Sequence, residues 1–182
     1  MRPNDPKKRE KILTTAIELF LENGYQGTTT LAISKRAEMS SSHMYTYFRN
    51  KEHLLVEAVR RMEAEHTALS TEFAKKSIGL SDGSFIEGFY TAQATIAHRV
   101  RFIASCGLSP GLAHLFEGYD FDFSKVFMPF LKDWPEKEAA DIAKALMALA
   151  VSYFLMGNIE AAKSASLSVL KNARNSLKAG KP

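Results

Sequence analysis

"SKRAEMSSSHMYTYFRNKEHLL", Ser34 to Leu55, is the stretch on which the reading of the chain turns. Three consecutive serines disfavour a helix interior, because their hydroxyls compete for backbone hydrogen bonds, yet runs with helical spacing flank them on both sides. Ser40 is therefore placed as an N-cap. The helix it opens is predicted from Ser41 to about Phe48, with Met44 and Phe48 inward at four-residue spacing. Upstream, Thr29 caps a short helix that carries Ile33 and Ala37 inward and stops around Glu38 and Met39. Downstream, Asn50 caps the next one. Two short helices joined by such a turn form a helix-turn-helix, whose second member can enter a DNA major groove with its N-terminal side chains facing base edges. Ser41, Ser42 and His43 project from that first turn, where hydroxyls and an imidazole meet bases and phosphates.

Outward from this stretch, the 3.6-residue period recurs in nearly every long segment and no sustained two-residue alternation appears, so an all-α fold of about nine helices is expected. The first runs from about Asp5 to Asn23, with Leu13, Ala16, Ile17 and Phe20 on one face and Gly24 ending it. After Asn50, Leu55, Val59, Met62, His66, Leu69 and Phe73 form the stripe of a long helix reaching Lys76. "GLSDGS", residues 79–84, breaks it. A single fifth helix then carries Phe85, Phe89, Ala92, Ile96, Val100 and Ile103 inward and ends near Cys106. Ser109 and Pro110 open a short helix and another spans Asp122 to Asp133. Pro135 opens a long helix to Met156, slimmed by Ala139, Ala140, Ala143, Ala145, Ala148 and Ala150 and stopped at Gly157. The last helix runs from Ile159 to about Leu177.

With 182 residues, 46% hydrophobic and 24% charged, the chain has the composition of a globular protein and not of a disordered one. Its single cysteine, Cys106, excludes an intrachain disulfide and fits a reducing cytosol. No apolar segment follows the basic start, and the apolar run Ala145 to Met156 falls short of the roughly 18 residues of a membrane span, so a cytoplasmic protein without membrane contact is expected. The net charge is +4. Arg2, Lys7, Lys8, Arg9 and Lys11, opposed by Asp5 and Glu10, read either as a solvated tail or as a phosphate-contacting arm. No zinc spacing, glycine-rich phosphate loop, Ser-His-Asp order or paired carboxylates stand out, so no catalytic residue, metal or cofactor is expected.

"TTTLAISKRAEMSSSHMYTYFRNKEHLL", Thr28 to Leu55, resembles the DNA-binding signature of the TetR-type (tetracycline-repressor-like) transcriptional regulators. The resemblance rests on the threonine pair before the second helix, the serine cap, the tyrosine-any-tyrosine-phenylalanine run and the lysine-glutamate pair of the fourth helix. It covers roughly Lys8 to Met62. It implies that Thr29 contacts phosphate, that Ser41, Ser42 and His43 face the groove, that Tyr45 and Tyr47 bond to the DNA backbone, and that Lys51 holds phosphate. With the capping Ser40 these are the expected DNA-binding residues; Phe48 is core. Three positions depart from the family pattern. Glu38 stands where the turn glycine belongs, so a strained or reshaped turn is expected. Ala32 leaves a capping box with Thr29 incomplete. His43 occupies a position more often filled by a small hydroxyl residue, so the sequence preference of relatives does not carry over.

The resemblance further implies a helix-turn-helix DNA-binding domain over 1–53 and a helical ligand-binding and dimerisation domain over 54–182. The last two long helices would pair with those of a second copy, giving a homodimer on a palindromic operator in double-stranded DNA. Such a protein is a repressor released by a small-molecule effector. Phe89, Tyr90, His98, Phe102, His114, Phe116, Tyr119, Phe127 and Trp134 are the candidates for lining an effector cavity, although aromatic residues at this spacing equally make plain core. The alternative is a small-molecule-binding helical protein without DNA recognition.

Overall fold

The computed structural model describes residues 5–117 and 124–179. Arg2 of the basic stretch, the effector candidate Tyr119 and the first residues of the helix expected at Asp122 lie outside them. The described residues form eight α-helices and two 3-10 segments, with no strand among them: α1 (Pro6–Gly27), α2 (Thr30–Arg36), α3 (Ser41–Met44), α4 (Lys51–Lys76), α5 (Asp82–Ala94), α6 (Ala97–Leu108), α7 (Glu136–Met156) and α8 (Ile159–Ala179). The 3-10 segments are Ala113–Phe116 and Ser124–Phe127. Contacts divide the chain into two units, Met1–Ala64 with Phe102–Tyr119 and Glu65–Arg101 with Asp120–Pro182. Helices α4 and α6 each contribute residues to both.

In the first unit, Asp5 caps α1 by accepting the Lys7 N–H at 3.0 Å. Ile12, Leu13, Ala16, Ile17 and Phe20 are its buried face. Gly24 leaves the helical region at φ 70°, ψ 171°, ending the regular helix where expected, and one more turn runs to Gly27. The buried Thr28 hydroxyl lies 3.0 Å from the Leu19 carbonyl and 2.8 Å from that of Gly24, which fixes the direction in which the chain leaves α1. Thr29 and Ser40 cap α2 and α3 as expected. Asn50 Oδ1 accepts the His53 N–H at 2.8 Å at the start of α4, and His53 Nδ1 in turn accepts the Arg49 N–H at 3.3 Å.

Several expectations need correction. Helix α3 ends at Met44 and does not reach Phe48: the Thr46 hydroxyl bonds the His43 carbonyl at 2.7 Å and the Thr46 and Tyr47 amides bond three residues back, tightening 45–47 into turns. The stripe of α4 follows Leu55, Val59, Met62 and His66 but then takes Ser70 and Ala74, leaving Leu69 exposed and Phe73 half-buried. Steps of four residues overshoot a 3.6-residue turn, so the buried face drifts round the helix. The single fifth helix is two: Thr95 and Ile96, both β-branched, break it, with the Thr95 hydroxyl on the Ala92 carbonyl at 2.7 Å and the Ile96 N–H on that of Gln93 at 3.1 Å. Gln93 is buried where Ala92 was expected. The helices expected at Ser109 and Asp122 appear as the two single-turn 3-10 segments, which brings the α-helices to eight among the described residues.

The second unit is built on aromatic rings. Phe85 stacks on Phe130 at 3.7 Å and 8°, and Phe89 meets Phe127 at 4.8 Å. From α7, Ala139, Ala143, Leu146, Ala150 and Phe154 join this core with Ala162 and Leu170 of α8. Three alanines on the buried face of α7 let its neighbour approach closely. Gly157, at φ 76°, closes α7 in the left-handed region that glycine enters without steric cost. By length and composition α7 would also suffice to cross a membrane, which the apolar run of Ala145 to Met156 alone did not indicate.

Candidate nucleic-acid interface

The turn between α2 and α3 keeps its shape without glycine. Met39 N–H bonds the Ser34 carbonyl at 3.0 Å and Glu38 N–H that of Lys35 at 3.1 Å, the two bonds of a Schellman closure. Glu38 supplies the left-handed residue at φ 58°, the only non-glycine residue at positive φ among those described. The expected strain is therefore localised in one backbone position. Its carboxylate bonds Lys11, which holds it below the ordinary carboxylate range.

Ser40 Oγ accepts the His43 N–H at 3.2 Å and lies 3.1 Å from Ser42 Oγ. Ser42 is exposed, and Ser41 and His43 are half-buried. Ser41 Oγ sits 3.0 Å from Ser34 Oγ, a buried α2 hydroxyl that itself donates to the Leu31 carbonyl at 3.0 Å. The imidazole of His43 packs on the Tyr47 ring at 5.5 Å. Tyr45 is 47% exposed, its hydroxyl 3.1 Å from Thr30 Oγ1. Met44 and Phe48 are buried, as expected, and anchor the other side of this segment. Thr29 accepts the Ala32 N–H at 3.1 Å, and Ala32 has no side-chain acceptor to return the bond.

Lys51 opens α4 with its Nζ 4.0 Å over the Tyr25 ring. Partial burial lowers its pKa, while burial and then the Glu52 carboxylate push the Tyr25 phenol up to about 12. The ring thus fixes the direction of the ammonium. Two of the basic residues of the N-terminal stretch are engaged within the unit. Arg9 bonds Glu57 at 2.6 Å and lies 5.0 Å from the Phe48 ring centroid, and Lys11 holds Glu38; Lys7 and Lys8 are exposed. Thr30 and Ser34, which tie α2 to α3, were missed in the sequence. Their partners lie 15 and 7 residues away, beyond any local capping rule.

The effector candidates are distributed over both units. Phe102, His114 and Phe116 belong to the first, where Phe102 stacks on Phe20 at 6.0 Å, Phe116 is buried and His114 exposed. In the second, Phe89, Tyr90 and Phe127 are packed in the core and His98 is exposed. Trp134 lines an open groove of about 820 Å³ with Asp133, Glu138, Asp141, Ile142 and Leu177. Beside the core runs a buried polar line that the sequence did not reveal. His66 Nε2 pairs with Gln93 Oε1 at 2.9 Å, Gln93 Nε2 donates to Ser70 at 2.9 Å, and Tyr90 meets Ser166 at 3.0 Å. Burial pushes the Cys106 thiol up to about 11, which leaves it unreactive at neutral pH.

Capped helices, a left-handed turn and a short helix presenting hydroxyls define a helix-turn-helix module. Residues 12–58 match the family described as "Bacterial regulatory proteins, tetR family". It is similar to the HTH-type transcriptional regulator QacR of Staphylococcus aureus, 42% identical over 57 residues that span 31% of this chain and 30% of QacR. It is also similar to the fatty acid metabolism regulator protein of Bacillus subtilis, 29% identical over 89 residues, 44% of this chain and 45% of that one. The matched segment thus spans less than half the length of these curated relatives. Over the whole fold, a transcriptional regulator from Rhodococcus sp. RHA1 aligns with a TM-score of 0.69 at 17% identity, covering 92% of this chain and 96% of that one. One from Aquifex aeolicus aligns with 0.63 at 23% identity, over 90% and 98%.

Proposed function

We propose that this protein is a sequence-specific transcriptional regulator, a repressor that binds a palindromic operator in double-stranded DNA as a homodimer and is released by a small molecule. The observation that carries the reading is the outward first turn of α3, Ser41 to His43, with Ser40 capping it and hydroxyl bonds from Ser34 and Thr30 bracketing it. Ser42 and His43 read bases, Ser41 assists them, and Thr29, Tyr45, Tyr47 and Lys51 hold the DNA backbone. Residues 1–53 act as the DNA-binding domain and 54–182 as the ligand-binding and dimerising one. Val151, Leu155 and Met156 on α7 and Leu167 on α8 are exposed apolar side chains that a second copy would cover.

Among the effector candidates, Trp134 opens on a groove within the second unit, which is the proposed place for an effector. Because α4 runs through both units, an effector that favours one disposition of this helix shifts the spacing of two recognition helices; each 1.4 kcal/mol of coupling changes operator affinity about tenfold. The reading is of a non-catalytic, cytoplasmic protein that makes no membrane contact. Selection of binders from random duplex DNA with the full-length protein at low salt tests it. The expected product is a palindrome with half-site centres about 10 base pairs, or a multiple, apart. Recovery of no duplex would overturn the reading and leave a helical small-molecule binder.

A further inference from the structure

We propose that Leu31 reads the methyl group of a thymine, so that base preference is set by α2 as well as by α3; this rests on the DNA-binding reading above. Among residues 5–50, Leu31, 68% exposed, and Tyr45 are the two large apolar side chains left in solvent. Thr30, adjacent to Leu31, meets the Tyr45 hydroxyl just beyond the C-terminal end of α3. The Leu31 carbonyl accepts from Ser34, which pairs with Ser41 at the first residue of α3. The turn of α2 that carries Leu31 is therefore tied to both ends of the helix that presents Ser42 and His43.

A single exposed leucine on a free surface has no special meaning. On a face directed at DNA its chemistry is restrictive. It can neither donate nor accept a hydrogen bond, so it gains nothing from phosphate, and a polar base edge against it would lose water without compensation. The major groove offers one apolar group, the C5 methyl of thymine. The tethers also mean that little backbone freedom remains to be lost when the contact forms.

The test uses the duplex recovered by selection with the full-length protein. Each thymine of the half-site is replaced in turn by uracil, which removes the methyl group and leaves the pairing edge intact. Binding by the wild-type protein, L31A and L31M is then measured. Uracil at one position of a single half-site should weaken wild-type binding about fourfold, the equivalent of one methylene-sized apolar contact. L31A, which alters both subunits, should bind the thymine duplex about fourfold more weakly per half-site, about sixteenfold in all, and show no further loss with uracil there, while L31M should retain the thymine preference. A methyl effect felt equally by wild type and L31A, or no methyl effect at any position, overturns the assignment while leaving the regulator reading in place. Failure to recover any duplex overturns both.

Discussion

The two units are held together by different means. The helix-turn-helix region relies on short-range polar closures: Asp5, Thr29, Ser40 and Asn50 each satisfy a backbone N–H at a helix start, and Thr28 ties the end of α1. The unit of residues 65–101 and 124–179 relies on ring packing, with its polar side chains paired inside. Helices of four to seven residues cannot stand by propensity alone, so caps and hydroxyl bonds carry much of the burden in the first. Longer helices in the second can trade on buried area. The difference teaches that short helices presenting hydroxyls are fixed in place by hydroxyls, whereas the longer helices of the second unit are fixed by buried rings.

The sharpest way to break this contrast is F127A. Deleting a fully buried ring that touches Phe85 and Phe89 should cost about 3–5 kcal/mol by denaturant titration. A cost near that of a lost cap would show that the ring core is not what holds the second unit. Next comes acid. Burial lowers the His66 pKa below its ordinary 6.5, so the folded state binds fewer protons than the unfolded chain. Stability is complete above about pH 6.5 and falls as pH drops from there toward the depressed value; H66Q should flatten that part of the melting profile, and superimposable profiles would contradict the assignment.

For the first unit, K51A should weaken binding about tenfold at low salt, equally across operator sequences, and reduce the slope of log affinity against log salt by about 0.9 for each subunit bound. An unchanged slope would remove Lys51 from the phosphate contacts. S40A removes the N-cap of α3 and should cost about 1 kcal/mol of stability, with a parallel loss of affinity for the selected duplex. Smallest, and opposite in sign, is E38G. Glycine enters the left-handed region freely, so the melting temperature should rise by about 2–4 °C, and a fall would mean that the Lys11 bond outweighs the backbone strain.

How much of this was legible follows from the range of each interaction. Thr29, Ser40 and Asn50 act on amides three residues away, so their caps could be read from spacing alone. Gly24 and Gly157 end their helices where the pattern placed them. The positive φ of Glu38 was anticipated because a family position normally held by glycine was occupied by another residue. What escaped was non-local. Ser166 meets Tyr90 across 76 residues, and Gln93 meets His66 across 27, so no periodicity points to either. The break at Thr95 and Ile96 escaped because the apolar period continues through it to Val100 and Ile103. The premature end of α3 came from one threonine hydroxyl competing for a carbonyl.

The pairing of Ser34 with Ser41 carries a directional consequence. A hydroxyl owns a single hydrogen, and that of Ser34 is committed to the Leu31 carbonyl. In the contact between the two serines the hydrogen must then come from Ser41. The oxygen at the leading edge of α3 is left with lone pairs alone, and any group that engages it from outside, such as the exocyclic amine of adenine or cytosine, has to bring its own proton.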